Sequence, residues 1–254
     1  PIFERFSLFL KGKRDRQVIG FLPYWNMNDE LEIDFDAVDQ LIYFNLMVDI
    51  NGDTITYGDE GGGWFTYNTP KLDSWLKKAK EKDKKTLLCV ASFNAEVMFQ
   101  ISANEEKQDR VIKTIIQAIK EKGFDGVDID FEYFEQYGHQ SFGDNFNNFM
   151  SRLRKELDKV NPDLILSVDI YPKAIIEDEP YNLKEMNEII DQLIIMAYDF
   201  TQSGSYNAGP VAPINTDPSL NEKIRDNYSI MQTLEAAEGK IDKEKLVLGI
   251  PLYG

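Results

Sequence analysis

The residues Gly123-Phe124-Asp125-Gly126-Val127-Asp128-Ile129-Asp130-Phe131-Glu132-Tyr133 carry four acids within eight positions. Three of the acids alternate with Val127, Ile129 and Phe131. Period-two alternation is the pattern of a β-strand, and it puts Asp128, Asp130 and Glu132 on one face, about 6.6 Å from one to the next. The opposite face is apolar and requires cover. A row of carboxylates is costly to bury unless its members share protons or hydrogen bonds. Two readings of these residues stand side by side: a carboxylate active site, and a solvated acidic edge strand. A calcium loop is excluded by spacing, since it needs Gly at its sixth position and Glu at its twelfth, in a loop rather than an apolar strand. Asp125 falls on the other parity, near the start of the strand, and reads as structural.

The acids Asp125-x-x-Asp128-x-Asp130-x-Glu132, followed by Tyr133, resemble the signature of glycoside hydrolase family 18, the chitinase family. Further stretches resemble that family in the right order: Val18-Ile19-Gly20-Phe21-Leu22-Pro23-Tyr24-Trp25, Leu41-Ile42-Tyr43-Phe44-Asn45, Met196-Ala197-Tyr198-Asp199, and Leu246 through Gly254. The similarity runs from about Gln17 to the last residue. Two positions depart from the family pattern. Cys89-Val90-Ala91-Ser92 stands where the family has Ser-x-Gly-Gly, and Phe131 stands at a common Trp position.

The resemblance implies a TIM (β/α)8 barrel and a retaining, substrate-assisted hydrolysis of β-1,4 bonds next to N-acetylglucosamine, as in chitin. In that scheme the sugar's own acetamido oxygen attacks the anomeric carbon. Glu132 would be the general acid and then the base. Asp130 would hold the acetamide N–H and offset the positive charge of the intermediate. Asp128 would share a proton with Asp130, and Tyr198 would position the acetamide oxygen. Trp25, Phe44, Met196, Asp199 and Tyr253 are expected to contact sugar, because pyranose rings present flat C–H faces to aromatic platforms. The same signature also fits an endo-β-N-acetylglucosaminidase on N-glycans and a peptidoglycan or spore-wall hydrolase. A chitin-binding lectin on this barrel typically lacks the final Glu, which is present here.

The elements that must position these residues are legible as alternation. Strand-like apolar runs recur near 17–25, 39–48, 85–93, 124–132, 163–171, 192–199 and 245–253. Helical patterns lie near 71–82, 104–122, 143–160, 183–190 and 219–238. Alternating strands and helices predict a parallel sheet. The clearest helix carries the stripe Val111, Ile112, Ile115, Ile116 and Ile119, with Gly123 as its stop and Ser102-x-x-Glu105 as a capping box at its start. Seven strands are counted, so the eighth is expected beyond Gly254. The expected organisation is a lead-in over 1–16, containing the basic Lys11 to Arg16 cluster, and one barrel over 17–254. The 207–219 stretch reads as a surface loop or a substrate-facing one.

Composition narrows the partners. A formal charge of −16 argues against nucleic acid and anionic membrane surfaces. The single cysteine, Cys89, sits in an apolar run and reads as a small core residue. With one Cys and one His, His139, no zinc site is expected, and no cofactor is expected. No apolar run reaches the roughly 18 residues of a membrane span. A monomer acting on a glycan, secreted or at the cell surface, is the expectation.

Overall fold

The computed structural model describes residues 16–27, 32–133, 141–201, 205, 208–216 and 228–253. Seven strands form one sheet in chain order: β1 (Ile19–Pro23), β2 (Gln40–Met47), β3 (Lys85–Ser92), β4 (Gly126–Phe131), β5 (Ile165–Ile170), β6 (Gln192–Ile195) and β7 (Leu246–Leu248). Every neighbouring pair is parallel. Parallel neighbours require a crossover at each step, and from β2 onward helices supply it. Among the described residues these are α1 (Gly62–Tyr67), α2 (Pro70–Glu81), α3 (Ala95–Ser102), α4 (Glu105–Lys122), α5 (Phe142–Val160), α6 (Pro172–Glu177), α7 (Leu183–Asn187) and α8 (Ile230–Ala237).

The sheet is curled. Gln40 Nε2 at the start of β2 donates to Gln192 Oε1 at the start of β6 (2.9 Å), and Gln192 Nε2 donates to Gln40 Oε1 (3.2 Å) and Gln17 Oε1 (3.1 Å). In a flat sheet four strand spacings would separate these ends by about 19 Å. The amide ring closes the amino end of a barrel, and Gln40 within it is fully buried.

Curling divides the apolar residues into two sets. The larger lies between strands and helices, where Phe146, Phe149, Met150, Leu153 and Leu157 of α5 and Val111, Ile112, Ile115 and Ile119 of α4 meet Val127, Ile129 and Phe131. A small set, Ile42, Leu87, Cys89, Ala91 and Ile194, lies inside the barrel. Gly126 lets β4 approach β5: a Cβ there would stand 2.2 Å from the backbone oxygen of Ile165. Gly123 stops α4 in the left-handed region at φ 75°, with its N–H bonded to Ile119 O.

Several boundaries differ from the sequence expectation. Ser102 ends α3 instead of capping α4; the cap is Asn104, whose side chain accepts from Lys107 N at 3.1 Å. Helices α1, α3 and α6 are too short to print an apolar stripe. The 245–253 run is strand only over Leu246–Leu248, and Trp25 sits in a 3-10 turn, Tyr24–Asn26, beyond β1. Of the 219–238 pattern, Ile230–Ala237 is helical, and 217–227 lie outside the described residues. Residues 1–15, His139, 206–207 and Gly254 also lie outside them.

Candidate active site

The period-two reading of β4 holds in three dimensions. Val127, Ile129 and Phe131 face the helices, while Asp128 and Asp130 face the barrel interior and are buried, 0% and 2% exposed. Register places Cys89 and Ser167 on either side of Asp128, and Ala91 beside Asp130. One step past the Ile129↔Val168 pair, β5 contributes Asp169, itself 3% exposed. Three carboxyls are therefore packed in the barrel interior, with Glu132 half-buried at its carboxyl end.

Burial dominates their electrostatics. It raises Asp128 from 3.8 to about 6, while nearby Ser167, Asp169 and Cys89 favour its anion. Asp130 is pushed well above the usual carboxylate range by burial and then by the charges of Glu132 and Asp128. Asp169 is pushed well up by burial and by Asp128 and Asp130. Both Asp128 oxygens, Oδ1 of Asp130, Oδ1 of Asp169 and Ser167 Oγ lack a seated hydrogen-bond partner. Ser167, Asp169 and Cys89 thus favour the Asp128 anion by their closeness to it. Protons retained on the carboxyls supply the missing donors.

Glu132 follows the last residue of β4, and its backbone is gripped from both sides. Tyr181 Oη donates to Phe131 O (2.5 Å) and accepts from Tyr133 N (3.0 Å); Tyr171 Oη donates to Tyr133 O (2.7 Å). Glu132 N bonds Ser92 O at the exit of β3 (3.3 Å). Below, Tyr133 stacks on Phe142 with ring centroids 3.9 Å apart. Burial raises the Glu132 pKa, and the charge of Asp199 raises it further. An acid so placed retains its proton to higher pH than a solvated glutamate.

Past β6, Met196 is buried, Tyr198 half-buried and Asp199 exposed. Tyr198 feels Asp169, Asp130 and Glu132, and burial above all holds its phenol far up, so it is a hydrogen-bond donor at any physiological pH. A Cβ at Gly249 would stand 3.0 Å from Tyr198 Cε1, so the chain after β7 presses on this ring. Asp199 adopts a left-handed φ of 57° and accepts from Tyr253 Oη at 2.9 Å. Met196, Tyr198, Asp199 and Tyr253 therefore meet at one rim.

Trp25, 59% exposed, and Phe44 meet edge to face with centroids 5.8 Å apart, and Phe44 meets Phe21 the same way at 6.1 Å. An exposed indole braced by Phe44 and, at 4.9 Å, by Tyr24 can take a sugar face with little ordering cost. All nine expected site residues thus lie on the barrel interior or at the carboxyl ends of β1, β2, β4, β6 and β7.

Two contributors were missed in the sequence. Asp169 was legible in principle, because Ser167-Val168-Asp169-Ile170 alternates just as β4 does. Tyr181 carried no local signal, since its bonds to β4 span 48 and 50 positions. Asp125 lies outside the site, at the amino end, accepting from Thr86 N (2.9 Å) and Lys85 Nζ (3.0 Å). A groove of about 1060 Å3 between α4 and α5, lined by Ile112, Ile116, Lys113 and Arg152, lies on the outer helical face and holds none of the clustered acids. Among the described residues no helix is long and apolar enough to cross a membrane.

Comparison with known proteins gives a match to the family model for glycosyl hydrolases family 18 over residues 17–254. The chain is 25% identical over 230 residues to a probable chitinase 10 of Drosophila melanogaster, covering 88% of this chain and 10% of that protein. It is 26% identical over 185 residues to a putative sporulation-specific glycosylase, YdhD, of Bacillus subtilis, covering 71% of this chain and 39% of that one. The chain thus spans well under half the length of these relatives. The structure superposes with TM-score 0.78 and 21% identity on the Group IV chitinase of Ostrinia furnacalis, covering 93% of this chain and 66% of that one.

Proposed function

The chain belongs to the family 18 glycosyl hydrolases, and from that premise we propose that it cleaves β-1,4 linkages at N-acetylglucosamine, chitin or its oligosaccharides, with retention and with the substrate's acetamide as nucleophile. The observation that carries the reading is the row of Asp128, Asp130 and Glu132 on the inner face of one strand, ending in a half-buried acid whose pKa is raised. Glu132 donates its proton to the glycosidic oxygen as the C–O bond breaks. The acetamido carbonyl oxygen bonds to the anomeric carbon, giving a positively charged oxazolinium ion. Asp130 accepts from the acetamide N–H and offsets that charge, with Asp128 behind it. Tyr198 donates to the acetamide oxygen and aims it at carbon. Water then attacks the anomeric carbon from the face the leaving group vacated, giving its proton to Glu132. Trp25, Phe44, Met196, Asp199 and Tyr253 line the subsites.

Glu132→Gln keeps the shape and removes the transferable proton. It should lower kcat by on the order of 10²-fold or more while binding of N-acetylglucosamine oligomers persists. A thiazoline mimic of the oxazolinium ion should inhibit. Near-wild-type turnover in the variant, an inverted first-formed anomer, or efficient cleavage of an unacetylated glucan would refute the reading. The similarity to a putative sporulation-specific glycosylase supports a second substrate, the N-acetylglucosamine bonds of peptidoglycan. Chitin oligomers, muropeptides and high-mannose N-glycans assayed in parallel discriminate among the substrates.

A further inference from the structure

The acids of β4 do not act as a closed set. Asp169 enters from β5 on the same inner face and is as deeply buried as they are. Register fixes its neighbours. Ser167 pairs with Asp128 and Val168 with Ile129, so the register carried one residue further puts Asp169 beside Asp130, on the same inner face as Ser167. The groups felt at this position are Asp128 and Asp130 on β4 and Glu132 just past its end. Cys89 on β3 and Tyr198 beyond β6 feel Asp169 in turn. No cation is among these groups. Oδ1 of Asp169 and both oxygens of Asp128 are sealed from solvent without a seated donor. Facing carboxylate oxygens are all acceptors, and buried acceptors without donors are costly. One proton converts such a pair into donor and acceptor.

We propose that Asp169 is a positioning residue that stays protonated and donates to Asp128, engaging Asp128 from the β5 side and freeing Asp130 to turn toward Glu132 and the substrate acetamide. The inference rests on the proposed hydrolase reading for its consequence, but its proton can be read without substrate. Burial and the neighbouring acids raise Asp169, whereas Asp169 itself favours the Asp128 anion, which is the asymmetry a donor and an acceptor require. The consequence is a division of labour: Asp128 takes the negative charge of the buried row, and Asp130 keeps its freedom to respond to the developing positive charge on the sugar.

The test compares Asp169→Asn, which keeps size and a permanent donor, with Asp169→Leu, which keeps size and has none. Thermal unfolding and near-ultraviolet circular dichroism establish that both are folded. In protein labelled with 13C at aspartate carboxyls, the signal lost in an Asp128→Asn variant identifies Asp128. Its apparent pKa should change little in Asp169→Asn and rise by about one unit or more in Asp169→Leu. On N-acetylglucosamine oligomers, Asp169→Asn should keep kcat within about threefold and extend the alkaline limb, because Asn cannot lose the proton. Asp169→Leu should lose about tenfold to a hundredfold in kcat with a smaller change in KM, the size expected for a hydrogen bond to a charged group. Identical Asp128 titration in the Asn and Leu variants would overturn the proposal, and so would Asp169→Asn falling as far as Asp169→Leu. A wild type inactive on every glycan would refute the hydrolase reading alone, since the carboxyl titration would still decide where the proton sits.

Discussion

Asp128→Asn should relieve a cost of folding that grows with pH. Asp128 is fully buried, and burial lifts its pKa from 3.8 to about 6. Between those values the native state binds more protons than the unfolded chain. Stability therefore falls as pH rises through the window and levels off above it. A shift from 3.8 to about 6, at about 1.36 kcal/mol per unit, corresponds to roughly 3 kcal/mol in full, of which roughly 2–3 kcal/mol is lost between pH 4 and pH 7. In a chain of this size the full amount is about 6–12 °C in Tm. Asn has the same shape and no charge to bury. At pH 4, where both side chains are neutral in the folded state, wild type and variant should differ by no more than about 1 kcal/mol. At pH 7 the variant should have gained roughly 2–3 kcal/mol on the wild type relative to that baseline. Asp130 and Asp169 each lose a negative neighbour in the variant, which adds to the gain. The assay is urea unfolding at pH 4, 5, 6 and 7, followed by tryptophan fluorescence and far-ultraviolet circular dichroism. A difference independent of pH would refute the reasoning. A wild type that gains on the variant as pH rises would refute it more sharply, because the Asp128 anion would then be better satisfied in the fold than in water. The variant should meanwhile hydrolyse poorly, since strain held at a site is given up only with function.

Tyr198→Phe removes the phenol donor but leaves the ring that Gly249 accommodates. It should lower kcat on N-acetylglucosamine oligomers by about tenfold to a hundredfold, with thermal stability within a few degrees of wild type; equal loss with glycans that lack the acetamide would contradict its role. Asp125→Ala should show the opposite pattern. It removes the acceptor of Thr86 N and Lys85 Nζ, so unfolding should come about 1–2 kcal/mol sooner at pH 7, while kcat stays within about twofold of wild type; a large catalytic defect would bring this acid into the mechanism.

Local sequence determined much of this protein because much of it is periodic. Alternation in β4 by itself separated Asp128, Asp130 and Glu132 from Asp125, and the structure keeps that separation: the first three face the barrel interior or end at its rim, and the last ties β3 to β4 at the other end. The stripe on α4 and the stop at Gly123 are likewise properties of one segment, governed by helix geometry. Short helices such as α3 left no stripe to read, and Ser102 looked like a cap only because its partner spacing was right. The true cap, Asn104, was decided by where α3 ends. What sequence could not determine was which strands meet. The Gln17, Gln40 and Gln192 amides close one end of the barrel over separations of up to 175 positions. The phenol that holds the backbone around Glu132 comes from Tyr181, some 50 positions away. Asp169 shows the division most clearly. Its alternation is written in β5, but an inward acid becomes part of a proton-sharing group only when β5 pairs with β4 and the closed barrel buries both strands' inner faces. The types and spacing of side chains are local, whereas desolvation and mutual charge depend on what the fold packs around them. For that reason the candidate acids could be named from sequence, while their protonation became a question for the tertiary structure.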